Sequence, residues 1–150
     1  MSHDVILNKI QTIQRCMKRI NEEYRGYETV FEVHYAKQDS VILNLERASQ
    51  ATIDIATHII KNEKFGLPNA SRELFVMLEQ NSIISHNSSE QMQKMVGFRN
   101  IAVHDYQNLN LEIVVAIVEK HLNDFEIFVE ELFENYLHQN GRLKPTQQQK

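Results

Sequence analysis

Seven apolar residues near the start of the chain, Ile6, Ile10, Ile13, Met17, Ile20, Tyr24 and Tyr27, are spaced by 4, 3, 4, 3, 4 and 3. A strand shows one face at every second residue and a helix at every third or fourth, so this stripe describes one side of a long helix packed on other helices. The helix is predicted to start near Ser2 or Asp4, whose side chains can accept from the free amides of a first turn, and to end near Gly26. Four glycines and two prolines in 150 residues are too few for a chain of short strands, which needs a turn about every ten residues. Long helices in a single domain are therefore expected.

The rest of the chain repeats the pattern. A second long helix is predicted from about Gln38 to Lys64, with Ile42, Leu45, Ser49, Thr52, Ala56, Ile59 and Ile60 facing inward. Ala48, Ala51 and Ala56 allow a neighbouring helix to approach closely. Gly66-Leu67-Pro68 is the expected stop, while residues 29–37 fit either a backward extension of this helix or a linker. Ser71 is read as the cap of a short helix carrying Leu74, Phe75 and Leu78 and ending near Asn81. Ser88 and Gln91 have capping-box spacing ahead of a helix through Met92, Met95, Val96 and Val103. Asn110 is expected to cap the last long helix, with Ile113, Ile117, Leu122, Phe125, Phe128, Leu132 and Tyr136 on its apolar face. The predicted fold is all-α, an up-and-down helical bundle, with Tyr24, Tyr27, Phe125 and Phe128 as core or dimer-contact residues. Residues 1–140 form the domain, and residues 141–150, with Gly141 and Pro145 as stops, form a polar disordered tail.

Composition narrows the function. Hydrophobic residues at 42% and charged residues at 24% exclude a disordered chain, and the longest apolar run, Ile113 to Val118, is far too short to span a membrane. Asp4, Asn8 and Lys9 interrupt any export leader, and the single cysteine, Cys16, cannot form an internal disulfide; both point to a reducing cytoplasm, with Cys16 buried in a helix. Net charge is −4, and the second half of the chain carries ten acidic against six basic residues. A general binder of nucleic-acid backbones is disfavoured, DNA included, whereas a local basic site is not.

The densest polar stretch is Gly97-Phe98-Arg99-Asn100-Ile101-Ala102-Val103-His104-Asp105-Tyr106. On a helix Asn100 and His104 share a face, while Arg99 and His104 lie about 140° apart unless the helix loosens. Arg99, Val103 and Tyr106 align only if the helix lasts that far. Histidine exchanges protons near neutral pH, an adjacent amide can hold its tautomer, and arginine is a permanent forked donor for phosphate oxygens. Such a set suits metal-free cleavage of a ribonucleotide phosphodiester: a base removes the 2′-hydroxyl proton and arginine stabilises charge on the five-coordinate phosphate. One chain supplies a single histidine to this stretch, and a symmetric dimer that brings two copies together would supply a base and an acid to one cleft. Asp54 and His58 are read as an intrahelical ion pair because no metal-ligand motif accompanies them. His3, His34, His86, His121 and His138 suggest no site.

The segment Met95 to Tyr106 resembles the signature of HEPN-domain ribonucleases, and the tyrosine two places after the histidine resembles, more narrowly, the HepT toxins of HepT/MntA toxin–antitoxin systems. Asp39-Ser40-Val41-Ile42-Leu43-Asn44-Leu45-Glu46, Asp54-Ile55-Ala56-Thr57-His58-Ile59, Gly66-Leu67-Pro68, Ser71-Arg72 and the stretch from Leu111 to Phe128 are also similar to that family. Together these blocks extend over roughly residues 4–135. The resemblance implies a HEPN fold and a homodimer with the two motifs facing each other. It implies a type VII toxin: a metal-independent endoribonuclease, with transfer RNA as target, that blocks translation and needs no cofactor. It makes Arg99 and His104 the catalytic pair, Asn100 a supporting residue, and Tyr106 the acceptor of AMP from an MntA-like nucleotidyltransferase antitoxin. The rival expectation is a non-catalytic nucleotide-binding or regulatory subunit of that nucleotidyltransferase.

Overall fold

The computed structural model describes residues 3–138. Among these residues the chain is helical, without strands. Six α-helices follow in order: α1 (Asp4–Tyr24), α2 (Tyr35–Glu63), α3 (Ser71–Gln80), α4 (His86–His104), α5 (Leu111–Ala116) and α6 (Asn123–Leu132). α1 packs along α2, α2 packs on α4 and α3, α3 packs on α4, and α4 meets α6. The expected bundle is present. The Gly141 and Pro145 stops and the 141–150 tail lie outside the described residues.

The stripe on α1 does what its spacing requires. Ile6, Ile13 and Ile20 are fully buried, and Ile10, Met17 and Tyr24 nearly so. Tyr27 leaves the pattern, because α1 ends at Tyr24 and Gly26 turns the chain at φ +87°. Its exposed ring is covered by the Lys37 ammonium, 3.6 Å from the ring centroid. Among the described residues the first turn has no side-chain cap: His3 holds that position, Asp4 is already inside the helix, and Ser2 lies outside the described residues. Every predicted inward residue of α2 is buried. Ser49 and Thr52 sit in that face without stranding a hydroxyl, since they donate to the backbone oxygens of Leu45 at 2.8 Å and Ser49 at 2.7 Å.

Two caps differ from expectation, and the ends of α2 are now defined. Residues 29–37 divide into a 3₁₀ turn, Phe31–Val33, and the first residues of α2, with the Gln38 amide donating to Phe31 and Glu32 oxygens. α2 ends where expected, at Glu63 with Lys64 as its left-handed cap at φ +58°, ahead of Gly66-Leu67-Pro68, and the Phe65 amide closes back on the Ile60 oxygen at 3.0 Å. The short helix begins at Ser71 itself, so Ala70 holds the cap position. The cap of α4 is Ser85, whose Oγ accepts from the Ser88 amide at 3.1 Å; Ser88 and Ser89 are buried within the helix.

The last column is interrupted. A π turn, Ile117–His121, separates α5 from α6, and a second one, Phe133–Leu137, follows α6. The predicted apolar face contained one five-residue step, from Ile117 to Leu122, which an α-helix would place on different sides. A π turn absorbs five residues in one turn and returns Leu122, Phe125, Phe128 and Leu132 to the core. Ile113, before the turn, is half-exposed, and Val114 takes the buried position.

Candidate active site

The site is built on the end of α4. Met92, Met95, Val96, Phe98 and Ala102 anchor one side of this helix in the core. That fixes the opposite side toward solvent, where Asn100 and His104 are exposed and Arg99 is half-buried. Gly97 has a local reason: a Cβ there would lie 2.5 Å from Arg72 Nη2. The Arg72 guanidinium, brought in from the first turn of α3, therefore rests directly against the α4 backbone two residues before Arg99.

Arg99 Nη1 donates to Asn100 Oδ1 at 3.1 Å, while its Nε is buried without a partner among the described residues. Asn100 thus orients the arginine rather than the histidine, which was the alternative its spacing allowed. His104 is the last residue of α4, and the Asp105 amide still donates to the Ile101 oxygen at 2.8 Å. The helix does not loosen before His104, so Arg99 and His104 keep the divergence of about 140° that five helical residues impose. The His104 side chain has no hydrogen-bonding or ionic partner among the described residues.

The backbone breaks at Asp105 (φ −149°, ψ 46°), and a 3₁₀ turn, Tyr106–Asn108, follows. Tyr106 is thereby removed from any alignment with Arg99 and Val103. Its hydroxyl instead donates to Asp39 Oδ1 on α2, across 67 residues of sequence. Asn108 Nδ2 closes on Asp105 Oδ1 at 2.9 Å, and Asn110 caps α5 through the Glu112 amide at 2.8 Å. The turn is thus held from both ends. Partial burial, and then the hydrogen bond and charge of Asp39, push the Tyr106 phenol up to about 12, so it is a neutral donor at physiological pH.

Two groups at this site carry no role on sequence grounds alone. Asp39 and Arg72 lie far from the motif in sequence, and no spacing rule joins them to it; only their membership in the blocks shared with the HepT family set them apart. Elsewhere, Asp54 pairs with Lys9 at 3.0 Å and accepts from Gln50 at 2.9 Å, and not with His58, whose Nε2 is buried and unpartnered among the described residues. His86 bridges Glu79 at 3.0 Å and Glu90 at 3.2 Å, and His121 meets Asp124 at 3.0 Å. These contacts join neighbouring turns and helices at the surface. No group of three or more His, Cys, Asp or Glu residues placed to hold a metal occurs among the described residues, and none of their helices is long and apolar enough to cross a membrane.

A family model described as "Ribonuclease HepT-like" matches residues 13–132, most of the chain and the whole of the site. The chain belongs to the HepT-like ribonuclease family. It is 52% identical over 128 residues to an "mRNA nuclease HepT" of Shewanella oneidensis, covering 85% of this chain and 96% of that one. It is 27% identical over 88 residues to a "tRNA nuclease HepT" of Aphanizomenon flos-aquae, covering 59% and 60%. Among solved structures, a tri-AMPylated Shewanella oneidensis HEPN toxin in complex with MNT antitoxin matches with a TM-score of 0.83 at 50% identity, covering 89% of this chain and 99% of that one.

Proposed function

We propose that the chain is the toxin of a toxin–antitoxin pair, a cytoplasmic, homodimeric endoribonuclease in which Arg99 and His104 act on the scissile phosphodiester. The observation that carries this reading is the exposed end of α4. Family membership supplies the ribonuclease, and this is where its arginine, amide and histidine meet solvent. His104 takes the 2′-hydroxyl proton, the freed oxygen attacks the adjacent phosphorus, and the 5′-oxygen leaves with a proton from a second acid. Arg99, steadied by Asn100, stabilises the extra negative charge on the phosphate without any metal or cofactor.

The divergence of Arg99 and His104 on one helix supports a second copy. Two copies related by a twofold axis supply two arginines and two histidines to one cleft, with a base and an acid among them. Ile101, Val103 and Ile113 expose 42%, 41% and 50% of their surfaces around the motif, apolar area that a dimer would cover.

Tyr106 is the acceptor of AMP from an MntA-like nucleotidyltransferase antitoxin in this reading. The support is the AMPylated toxin in complex with its MNT antitoxin among the similar structures, and the position of Tyr106 two residues beyond His104 with an exposed ring. Added phosphates would occupy the anion site that RNA must enter.

The test is an intact-mass measurement on protein made with and without antitoxin, followed by cleavage assays of both samples on transfer RNA and on messenger RNA. Transfer RNA is the expected target, and messenger RNA stands beside it because the names of the two relatives divide between them. Cleavage by the unmodified sample alone, with added mass in steps of AMP on Tyr106, is expected. A folded, unmodified dimer that leaves both RNAs whole but binds free nucleotide would overturn the nuclease in favour of a regulatory nucleotide-binding subunit.

A further inference from the structure

Asp39 lies on the exposed face of α2, and its one hydrogen-bonding partner among the described residues is the Tyr106 hydroxyl. We propose that Asp39 is a catalytic residue of the modification reaction: the toxin itself supplies the base that takes the Tyr106 proton as AMP is transferred. This rests on the reading of Tyr106 as the AMP acceptor.

A phenol becomes a nucleotidyl acceptor by displacement at phosphorus. Its oxygen forms a bond to the α-phosphorus of a nucleoside triphosphate, the bond from that phosphorus to the bridging oxygen breaks, and pyrophosphate leaves. The phenolic proton must go elsewhere. With the phenol held up to about 12, free phenolate is too scarce at neutral pH to carry the reaction. A carboxylate already accepting the hydroxyl hydrogen removes the need for it. As the new O–P bond forms, the proton passes to Asp39 Oδ1 and then to water, and the hydroxyl lone pairs stay free to face the phosphorus. A catalytic aspartate plays this part toward the substrate hydroxyl in protein kinases.

Geometry favours Asp39 over the nearby alternatives. Asp105 is adjacent in sequence, but its Oδ1 is taken by Asn108. His104, the last residue of α4, makes no hydrogen bond to the hydroxyl among the described residues. Among the described residues Asp39 is the charged group that bears on the phenol. Tyr106 is 45% exposed, so a nucleotide can approach it from solvent while Asp39 holds the hydroxyl hydrogen.

The experiment measures AMP incorporation by intact mass, under single-turnover conditions with antitoxin and magnesium ATP, for the full-length unmodified toxin and its variants. Asp39→Asn keeps the shape and loses the base; transfer is expected to slow by about 100-fold while antitoxin binding is unchanged. The rate of this variant relative to wild type should climb by about tenfold per pH unit from pH 7 to 9, because hydroxide must now generate the phenolate. Asp39→Glu should recover a substantial part of the rate. An Asp39→Asn rate within threefold of wild type would overturn the proposal, as would a loss that matches a loss of antitoxin binding or shows no rise with pH. Tyr106→Phe runs beside them: if it still gains AMP, the acceptor reading fails, whatever Asp39 does.

Discussion

Three tyrosines in this bundle donate a hydrogen bond to a carboxylate on a distant element, and they serve two purposes. Tyr24 reaches Glu119 at 2.5 Å and Tyr136 reaches Glu63 at 2.6 Å, each with only 3% of its surface exposed. Tyr24 also packs edge-on against Phe31, and Arg25 closes on the far oxygen of Glu119 at 3.4 Å. These two pairs tie α1 and α2 to the last helical column. Tyr106 makes the same bond to Asp39 with its ring 45% exposed, on a turn rather than a long helix. The donor chemistry is shared, and burial separates the roles. A buried ring makes the hydroxyl a structural tie, whereas an exposed one, two residues beyond His104, leaves it open to the modification proposed above.

The largest effect should come from the motif that gives Tyr106 its setting. Arg99→Ala and His104→Ala are each expected to lower RNA cleavage by on the order of 10³-fold, with thermal midpoints near that of wild type. Tyr24→Phe and Tyr136→Phe should leave cleavage close to wild type. Parallel cleavage assays and melts of the four variants test the division directly. Loss of cleavage in Tyr24→Phe without loss of stability would break it.

Stability should sort the tyrosines in the opposite sense. Removing the hydroxyl of Tyr136 ends a hydrogen bond to the Glu63 carboxylate in a partly enclosed place, at a cost of about 1.5–3 kcal/mol, and removing that of Tyr24 should cost less, because Glu119 is exposed and keeps Arg25. Tyr106→Phe should cost under about 1 kcal/mol, since water can replace the lost donor to Asp39. Urea midpoints at constant m-value measure all three. Equal losses would mean that the Asp39 contact holds the fold as the buried ties do.

Much of this was legible in the chain and some was not, and the difference is one of range. The α1 stripe, the α2 face and the Asn110 cap depend on contacts a few residues apart, where helical spacing alone decides. The motif was also legible, as residues: Arg99, Asn100 and His104 lie on one continuous helix. Spacing left their pairing open, and Asn100 turned out to face Arg99. The cap of α4 was misplaced by one turn because Ser85, Ser88 and Ser89 offer similar local chemistry, and burial of the last two decides among them. The π turn left a trace in the five-residue step from Ile117 to Leu122, without saying how the chain would absorb it. Asp39 had no local signal. Its contact with Tyr106 depends on how α2 and α4 pack and on the backbone break at Asp105.

Alkaline pH offers a finer version of the same comparison. Burial first, then the paired carboxylate, pushes Tyr24 and Tyr136 up to about 12. A phenol raised in the folded state contributes stability that is present below its unfolded value, about 10, and is lost as pH rises through about 12. Wild-type stability should therefore fall across that window, and Tyr24→Phe and Tyr136→Phe should each flatten the fall, as read by urea midpoints at successive pH values. For Tyr106 the expected change is local: in Asp39→Asn its phenolate absorbance should appear at lower pH, because an anion no longer opposes ionisation. A coincident shift in the unfolding midpoint would make Tyr106 a structural tie after all.

The smallest expected effect lies beside the site, at Gly97. A methyl there would meet Arg72 Nη2 at 2.5 Å, but that atom ends a long, exposed side chain with no ionic partner among the described residues, so the guanidinium can move away. Gly97→Ala also replaces a poor helix former inside α4, which is worth up to about 1 kcal/mol in favour of the folded state. Stability should therefore rise slightly. If Arg72 lies along the RNA path, as its contact with the motif helix suggests, the KM for RNA should rise by about two- to threefold and its salt dependence should weaken by about one phosphate contact. A more stable protein with unchanged KM and salt response would make Arg72 a packing residue, and the anion site would then be confined to the exposed end of α4.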